Sequence, residues 1–330
     1  MDLRLLFRNV APLAALATLA LASAQPELPP APGQLVDVGG RNLHVYCVGD
    51  GSPTVVLEAG LGDGSINFRA LQTRIAAFTR VCAYDRAGYG WSDEAEDARD
   101  LEAIVADLHA LLEGAGEEGP YVLAGHSLGG LIALGYAKAR PGDVVGVVLI
   151  DSSHPHQMDR LAAVPELVTA QELEIEGLAA AIDMAESGGL PPDAVRPNAP
   201  PVLAPALQDE WARLFVQPKQ LRAAVAEFRA LDATLAQAAA ALDLGDLPVT
   251  VVSRGVGVEG QLPAEALEAL GLTPDVLRRA EEIWSGLQQD LLNVSTSSKR
   301  VVAERSPHYV YYQQPALVVA AVRELVTRAR

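Results

Sequence analysis

Tyr121-Val122-Leu123-Ala124-Gly125-His126-Ser127-Leu128-Gly129-Gly130 decides how this chain is read. Tyr121 to Ala124 is a short apolar run of the kind that makes a buried strand. Gly125 to Gly129 fits G-x-S-x-G, and Leu131 to Ala139 has helical composition with no breaker before Pro141. Strand, tight turn and helix in that order would force Ser127 into a strained conformation. The flanking positions then have to be small, and Gly125 and Gly129 supply that. The Ser127 hydroxyl would stand clear of the sheet, beside the N-terminus of the following helix.

Outward from this stretch, the pattern of strands and helices continues on both sides. Downstream, Val144 to Ile150 is a fully apolar strand that ends at Asp151. Upstream, Asp100 caps a helix whose apolar face is Leu101, Ile104, Val105, Leu108, Leu111 and Leu112. Before it, Val81 to Tyr84 is a strand running into Asp85-Arg86-Ala87-Gly88-Tyr89-Gly90. Thr54 to Leu57 is a strand running into Glu58-Ala59-Gly60-Leu61-Gly62, with helical spacing from Ile66 to Phe78. Leu35 to Val38 and Leu43 to Val48 form a hairpin about Gly39-Gly40, and the Pro-rich stretch Gln25 to Gln34 reads as a linker. Strands alternating with helices imply a mainly parallel sheet covered on both faces.

After Asp151 the alternation stops. Residues 152–246 hold helices, Ala170 to Ala185 and Leu221 to Leu242, around a Pro-dense middle from Leu190 to Pro205 that is not expected to be regular. The block is too long for a loop and has no sheet of its own, so it reads as an inserted helical cap. The sheet resumes at Pro248 to Ser253. Helical segments follow within Pro263 to Leu292, then a last strand from Arg300 to Ala303, then Ser306-Pro307-His308 and a closing helix from Pro315 to Arg328.

The chain has 330 residues, half of them hydrophobic, and a formal net charge of −17. Such an acidic chain repels phosphate backbones, so nucleic acid is not an expected partner. Residues 1–24 have the form of an export signal: Arg4 and Arg8, an apolar run from Ala11 to Leu21, and Ala22-Ser23-Ala24 as a small-x-small cleavage site. Cleaved, it leaves an exported protein, periplasmic or secreted; uncleaved, it is an anchor. No later stretch has transmembrane length without charges.

This order of parts resembles the α/β-hydrolase superfamily, in its serine esterase and lipase-like branches, from Leu35 to Arg330. The resemblance rests on the G-x-S-x-G turn, on Tyr84-Asp85-Arg86-Ala87-Gly88-Tyr89-Gly90, and on His308 after the last strand. It implies an eight-stranded, mainly parallel sheet, with core segments 25–151 and 247–330 and the cap at 152–246. It also implies a triad of Ser127 as nucleophile, His308 as base and an orienting acid. Most members carry the acid after the seventh strand. Here that strand gives Val251-Val252-Ser253-Arg254-Gly255-Val256-Gly257-Val258-Glu259, with no carboxylate before Glu259. Asp151, at the end of the sixth strand, is the favoured alternative.

The backbone N–H groups of Leu61 and Leu128 are the implied oxyanion donors. Asp85 and Arg86 are given a structural role, tying loops together. His154 and His156 form an H-x-H pair without a surrounding cluster, so no metal site is expected, and no cofactor is implied. The expected substrate is a small ester. C–C, amide or lactone hydrolysis with the same triad, and a non-catalytic receptor, stay open. The superfamily's strand order 1-2-4-3-5-6-7-8 would also put Cys47 beside Cys82, and export would let them form a disulfide.

Overall fold

A computed structural model describes residues 26–96, 98–257, 267–268 and 270–330. The expected signal and Glu259 therefore lie outside the described residues. Eight strands form one sheet in the order β1-β2-β4-β3-β5-β6-β7-β8. They are β1 (Gln34–Asp37), β2 (Asn42–Val48), β3 (Thr54–Glu58), β4 (Val81–Tyr84), β5 (Tyr121–His126), β6 (Val144–Ile150), β7 (Val249–Arg254) and β8 (Ser298–Ala303). β1 and β2 pair antiparallel, as do β2 and β4, and every other pairing is parallel.

Alternation along β5 shows why its sequence is continuously apolar. Tyr121 and Leu123 enter one core, with Leu108, Leu111 and Ala133. Those residues belong to helices α2 (Leu101–Gly114) and α3 (Leu128–Ala139). Val122 and Ala124 enter the other, with Leu71 and Ile75 of α1 (Arg69–Ile75) and Val318, Val322 and Leu325 of the closing helix. Both faces of the strand are covered, so neither can be polar. Because β3 to β8 run the same way, their carboxyl ends meet along one rim of the sheet.

Between β6 and β7 the chain is helical. α4 (Pro165–Glu186), α5 (Pro205–Phe215), α6 (Pro218–Arg229) and α7 (Leu231–Ala239) account for most of it. Three of the four start with proline, whose missing N–H costs nothing in the first turn. The single helix expected from Leu221 to Leu242 is two, broken at Ala230. The Pro-dense middle is more regular than its composition implies. It holds a helical turn, Pro192–Val195, and a tighter 3-10 turn, Arg196–Asn198. Its Leu190, Val195, Ala199 and Leu203 are buried with Trp211, Phe215 and Leu221, and this cluster reaches Tyr89 and Trp91 on the rim. Residues 274–290 form α8 (Pro274–Asp290), and 315–329 form α9 (Pro315–Ala329). No helix among the described residues is long and apolar enough to cross a membrane.

The Pro-rich stretch that follows the expected signal is not a loose linker. Its backbone carbonyls are acceptors for the folded body: Pro29 for the Trp91 indole, Pro26 for the Gln217 amide and Pro32 for His44. Leu28 and Ala31 pack against the helical layer.

Cys47 and Cys82 face each other in the antiparallel register of β2 and β4 and form a disulfide. It closes a loop with a sequence separation of 35 residues. A loop of that size is worth about 3–4 kcal/mol in the chain-entropy model. Reduction is therefore expected to lower the melting temperature by roughly 6–15 °C. Calorimetric scans with and without reductant measure this; coincident scans would mean that the bond constrains nothing the fold needs.

Candidate active site

Two non-glycine residues of the described chain have positive φ, Ser127 at 53° and Asp151 at 40°, and both lie on the rim. Each such conformation costs on the order of 1–2 kcal/mol for a residue with a Cβ. Ser127 is held in it from several sides. Its N–H donates to Ile150 (3.2 Å), and its carbonyl accepts from Gly130 (2.9 Å) and Ser153 (2.9 Å). The glycines of the turn are a packing necessity. A Cβ on Gly125 would lie 2.1 Å from the Gly129 carbonyl oxygen, and one on Gly129 would lie 2.3 Å from that of Glu58.

Ser127, Leu61, Leu128 and His308 line one cavity of about 70 Å³. Gly60, Asp63, His126, Ser153, Gln157, Gln171, Phe228, Leu231 and Tyr309 complete its wall. Leu128 opens α3, so its N–H has no acceptor within the helix. Among the described residues nothing accepts from the N–H of Leu61 or of Leu128.

Behind the cavity, His308 donates from Nδ1 to Asp151 Oδ2 at 2.6 Å. Asp151 is fully buried. Its second oxygen accepts from the Trp284 indole (3.0 Å) and the Arg254 backbone N–H (3.1 Å), and Arg254 Nη1 adds a bond to Oδ2 (3.2 Å). Burial on its own would push this carboxyl up. The Arg254 charge and the bonds from His308 and Trp284 outweigh it and hold the group well below its ordinary value. Arg254 is itself shared with Glu281 (2.9 Å) and stacks over the Trp284 ring. The end of β7 thus supplies an arginine to the Asp151 carboxylate.

His126 lies under the same site. Its Nε2 donates to the His308 carbonyl (3.2 Å), and burial together with His308 holds its pKa well below the usual histidine value. The neutral ring thus anchors the loop that carries His308. Of the other histidines, His44 pairs with Asp85 (2.7 Å), His109 approaches the Tyr136 hydroxyl (3.3 Å), and His154 and His156 are hydrogen-bonded to each other beside Gln157.

The loop carrying Leu61 is braced from outside. Arg86 donates to the carbonyls of Ala59 (2.7 Å) and Gly60 (2.9 Å) and to Glu58 (2.9 Å). Its remaining N–H groups hold Glu227 of α6 at 2.7 and 2.8 Å. Tyr89 joins Glu227 to the Gly62 N–H, and Gln220 of α6 donates to the Gly62 carbonyl. One buried guanidinium therefore ties the helical layer to this loop.

Arg254, Trp284, His126, Glu58 and Glu227 carried no signal of these roles in the sequence. The nearest was a charged residue closing an apolar strand, as Glu58 and Arg254 do.

The match to the alpha/beta hydrolase family spans residues 55–321. The chain belongs to that family. As a hydrolase of this fold it has relatives of several kinds. The uncharacterized protein YbdG of Bacillus subtilis is 30% identical over 127 residues, but that match spans only 38% of this chain and 39% of YbdG. YqjL, also uncharacterized and from the same organism, is 23% identical over 277 residues, 84% of this chain and 85% of YqjL. A thermophilic esterase from Thermogutta terrifontis superposes with a TM-score of 0.55 at 20% identity, covering 87% of this hydrolase and 94% of the esterase.

The brace has a pH signature. Burial pushes the Glu58 carboxyl up to about 7, against the pull of Arg86 and the Tyr84 hydroxyl. A carboxyl raised on folding binds its proton more tightly in the native chain than in the unfolded one. Its contribution to stability is full below its ordinary value of 4.5 and is lost as pH rises through about 7. Urea melts across that range should show wild type losing stability with rising pH relative to Glu58→Gln, which has nothing to titrate. Parallel curves would mean that Glu58 is ionised throughout.

Proposed function

We propose that this hydrolase cleaves carboxylic esters through an acyl-enzyme on Ser127. The single observation that supports the reading most is the 2.6 Å contact between His308 Nδ1 and buried Asp151, with His308 and Ser127 lining one cavity. Asp151, not Glu259, is then the orienting acid. Held ionised by Arg254 and Trp284, it keeps the His308 proton on Nδ1 and leaves Nε2 as a base. His308 takes the Ser127 proton as Oγ attacks the ester carbonyl, and returns it to the departing alcohol. Water, deprotonated by the same nitrogen, then releases the acid and restores Ser127. The N–H groups of Leu61 and Leu128 receive the charge that develops on the carbonyl oxygen, at roughly 3 kcal/mol each.

Two wider parts of the reading go with it. Residues 152–246 act as a cap that controls access, because Phe228 and Leu231 of the cavity wall come from it. The protein works outside the cytoplasm, which the leader-like residues 1–24 and the Cys47–Cys82 bond both favour.

A fluorophosphonate probe should label wild type on Ser127, and Ser127→Ala should lose both the label and the hydrolysis of short p-nitrophenyl esters. Asp151→Asn is expected to lower kcat by up to ~10⁴-fold through loss of the correct histidine tautomer. Unlabelled, folded wild type would remove the mechanism and leave a receptor on this fold.

A further inference from the structure

Besides Ser127, Asp63, Tyr309 and the two histidines, the polar side chains of the cavity are Ser153, Gln157 and Gln171, from the chain that follows β6. Gln157 is 6% exposed, and its orientation is fixed. Its Oε1 accepts the backbone N–H of His154 at 3.1 Å, and a backbone N–H can face only the oxygen of an amide. The backbone under it is pinned in turn. The Gln157 N–H donates to the His154 carbonyl (2.9 Å), and His154 Nδ1 accepts from the His156 N–H (3.0 Å). Both Nε2 hydrogens therefore remain, and nothing among the described residues accepts from them. Ser153 repeats the situation at 5% exposure. Its N–H is spent on the Ser127 carbonyl, and its Oγ has no partner among the described residues.

Both groups face the cavity, and a donor that no protein group accepts from is open to a ligand atom that completes it. The wall also specifies the charge of that ligand. It contains the Asp63 carboxyl and no Lys or Arg, so a carboxylate or phosphate would enter without a counter-charge. An uncharged oxygen fits. The cavity volume of about 70 Å³ confines it to a compact group near the reacting carbonyl.

We infer that Gln157 and Ser153 form an oxygen-recognising subsite, which selects compact esters carrying a second, uncharged oxygen (an ether, hydroxyl or keto oxygen) close to the scissile carbonyl. The inference rests on the proposed role of Ser127. It deepens that role by naming what the neighbouring wall reads.

The test compares two p-nitrophenyl esters of equal length, methoxyacetyl and butanoyl, which differ by an oxygen in place of one methylene. The readout is the ratio of their kcat/KM values, so that partial loss of folded protein and the intrinsic reactivity of the esters cancel between variants. In Gln157→Met the ratio should fall by about 10-fold. Gln157→Glu keeps an oxygen for the His154 N–H but donates nothing, so it should lose the same preference with the turn at His154 intact. Ser153→Ala should move the ratio in the same direction. An unchanged ratio in both Gln157 variants would reduce Gln157 to a brace for the turn at His154 and overturn the subsite. A second readout is independent of turnover: Ser127→Ala should bind the methoxyacetyl ester more tightly than the butanoyl ester in calorimetry, and equal affinities would also overturn it. Failure of the fluorophosphonate label, by contrast, would fall on Ser127 and not on this wall.

Discussion

The carboxylate of Asp151 has no contact with water, and the way it is held organises one end of the sheet. It lies at the end of β6, and the group that neutralises it, Arg254, ends the adjacent strand β7. The indole that shares its oxygen comes from α8, and the histidine bonded to it follows β8. Four separate segments must dock before this charge is satisfied. Removing Arg254 would leave a buried ion uncompensated, a far larger loss than any surface ion pair represents. The parallel sheet makes the meeting possible, since only strands that run together bring their carboxyl ends to one rim.

A second buried charge does comparable work on the other side of the cavity. Arg86 holds the carbonyls before Leu61 with one part of its guanidinium and Glu227 of the helical layer with the other. Position of the loop and seating of the helices are thereby one event. Displacing α6 would take Glu227 from Arg86 and leave part of a buried guanidinium unpaired beside the loop. The strained backbone at Ser127 and Asp151 persists on the same terms, overdetermined by neighbours that come from elsewhere in the chain.

Much of the sheet was legible because burial on both faces writes itself as apolar runs, as in β3, β5 and β6. The turn at Ser127 was legible because its glycines answer to local sterics. Helix boundaries between β6 and β7 were less so: Ala-rich sequence favours helix everywhere, and the break at Ala230 is set by packing. The roles of Arg254, Glu58 and Glu227 could not be read, because each depends on a partner between 28 and 141 positions away. The sequence leaves Asp151 and Glu259 as rival acids for the same reason: the partners of Asp151 are distant in sequence. Gln25 to Gln34 reads as a linker by composition because proline advertises stiffness, while the carbonyls of Pro26 and Pro29 are recognised by side chains that lie distant in sequence.

The bond between Cys47 and Cys82 has a topological meaning as well. With it closed, residues 47–82 are a covalent ring, and that ring contains β3 and the loop with Leu61. A single backbone cut inside the ring would open the polypeptide without releasing a fragment. Both new ends would stay tethered to neighbouring strands of the sheet, and rejoining them would be an intramolecular event at high local concentration. The Gly60, Leu61 and Asp63 side of the cavity wall is thus a part of the chain that a nick cannot detach.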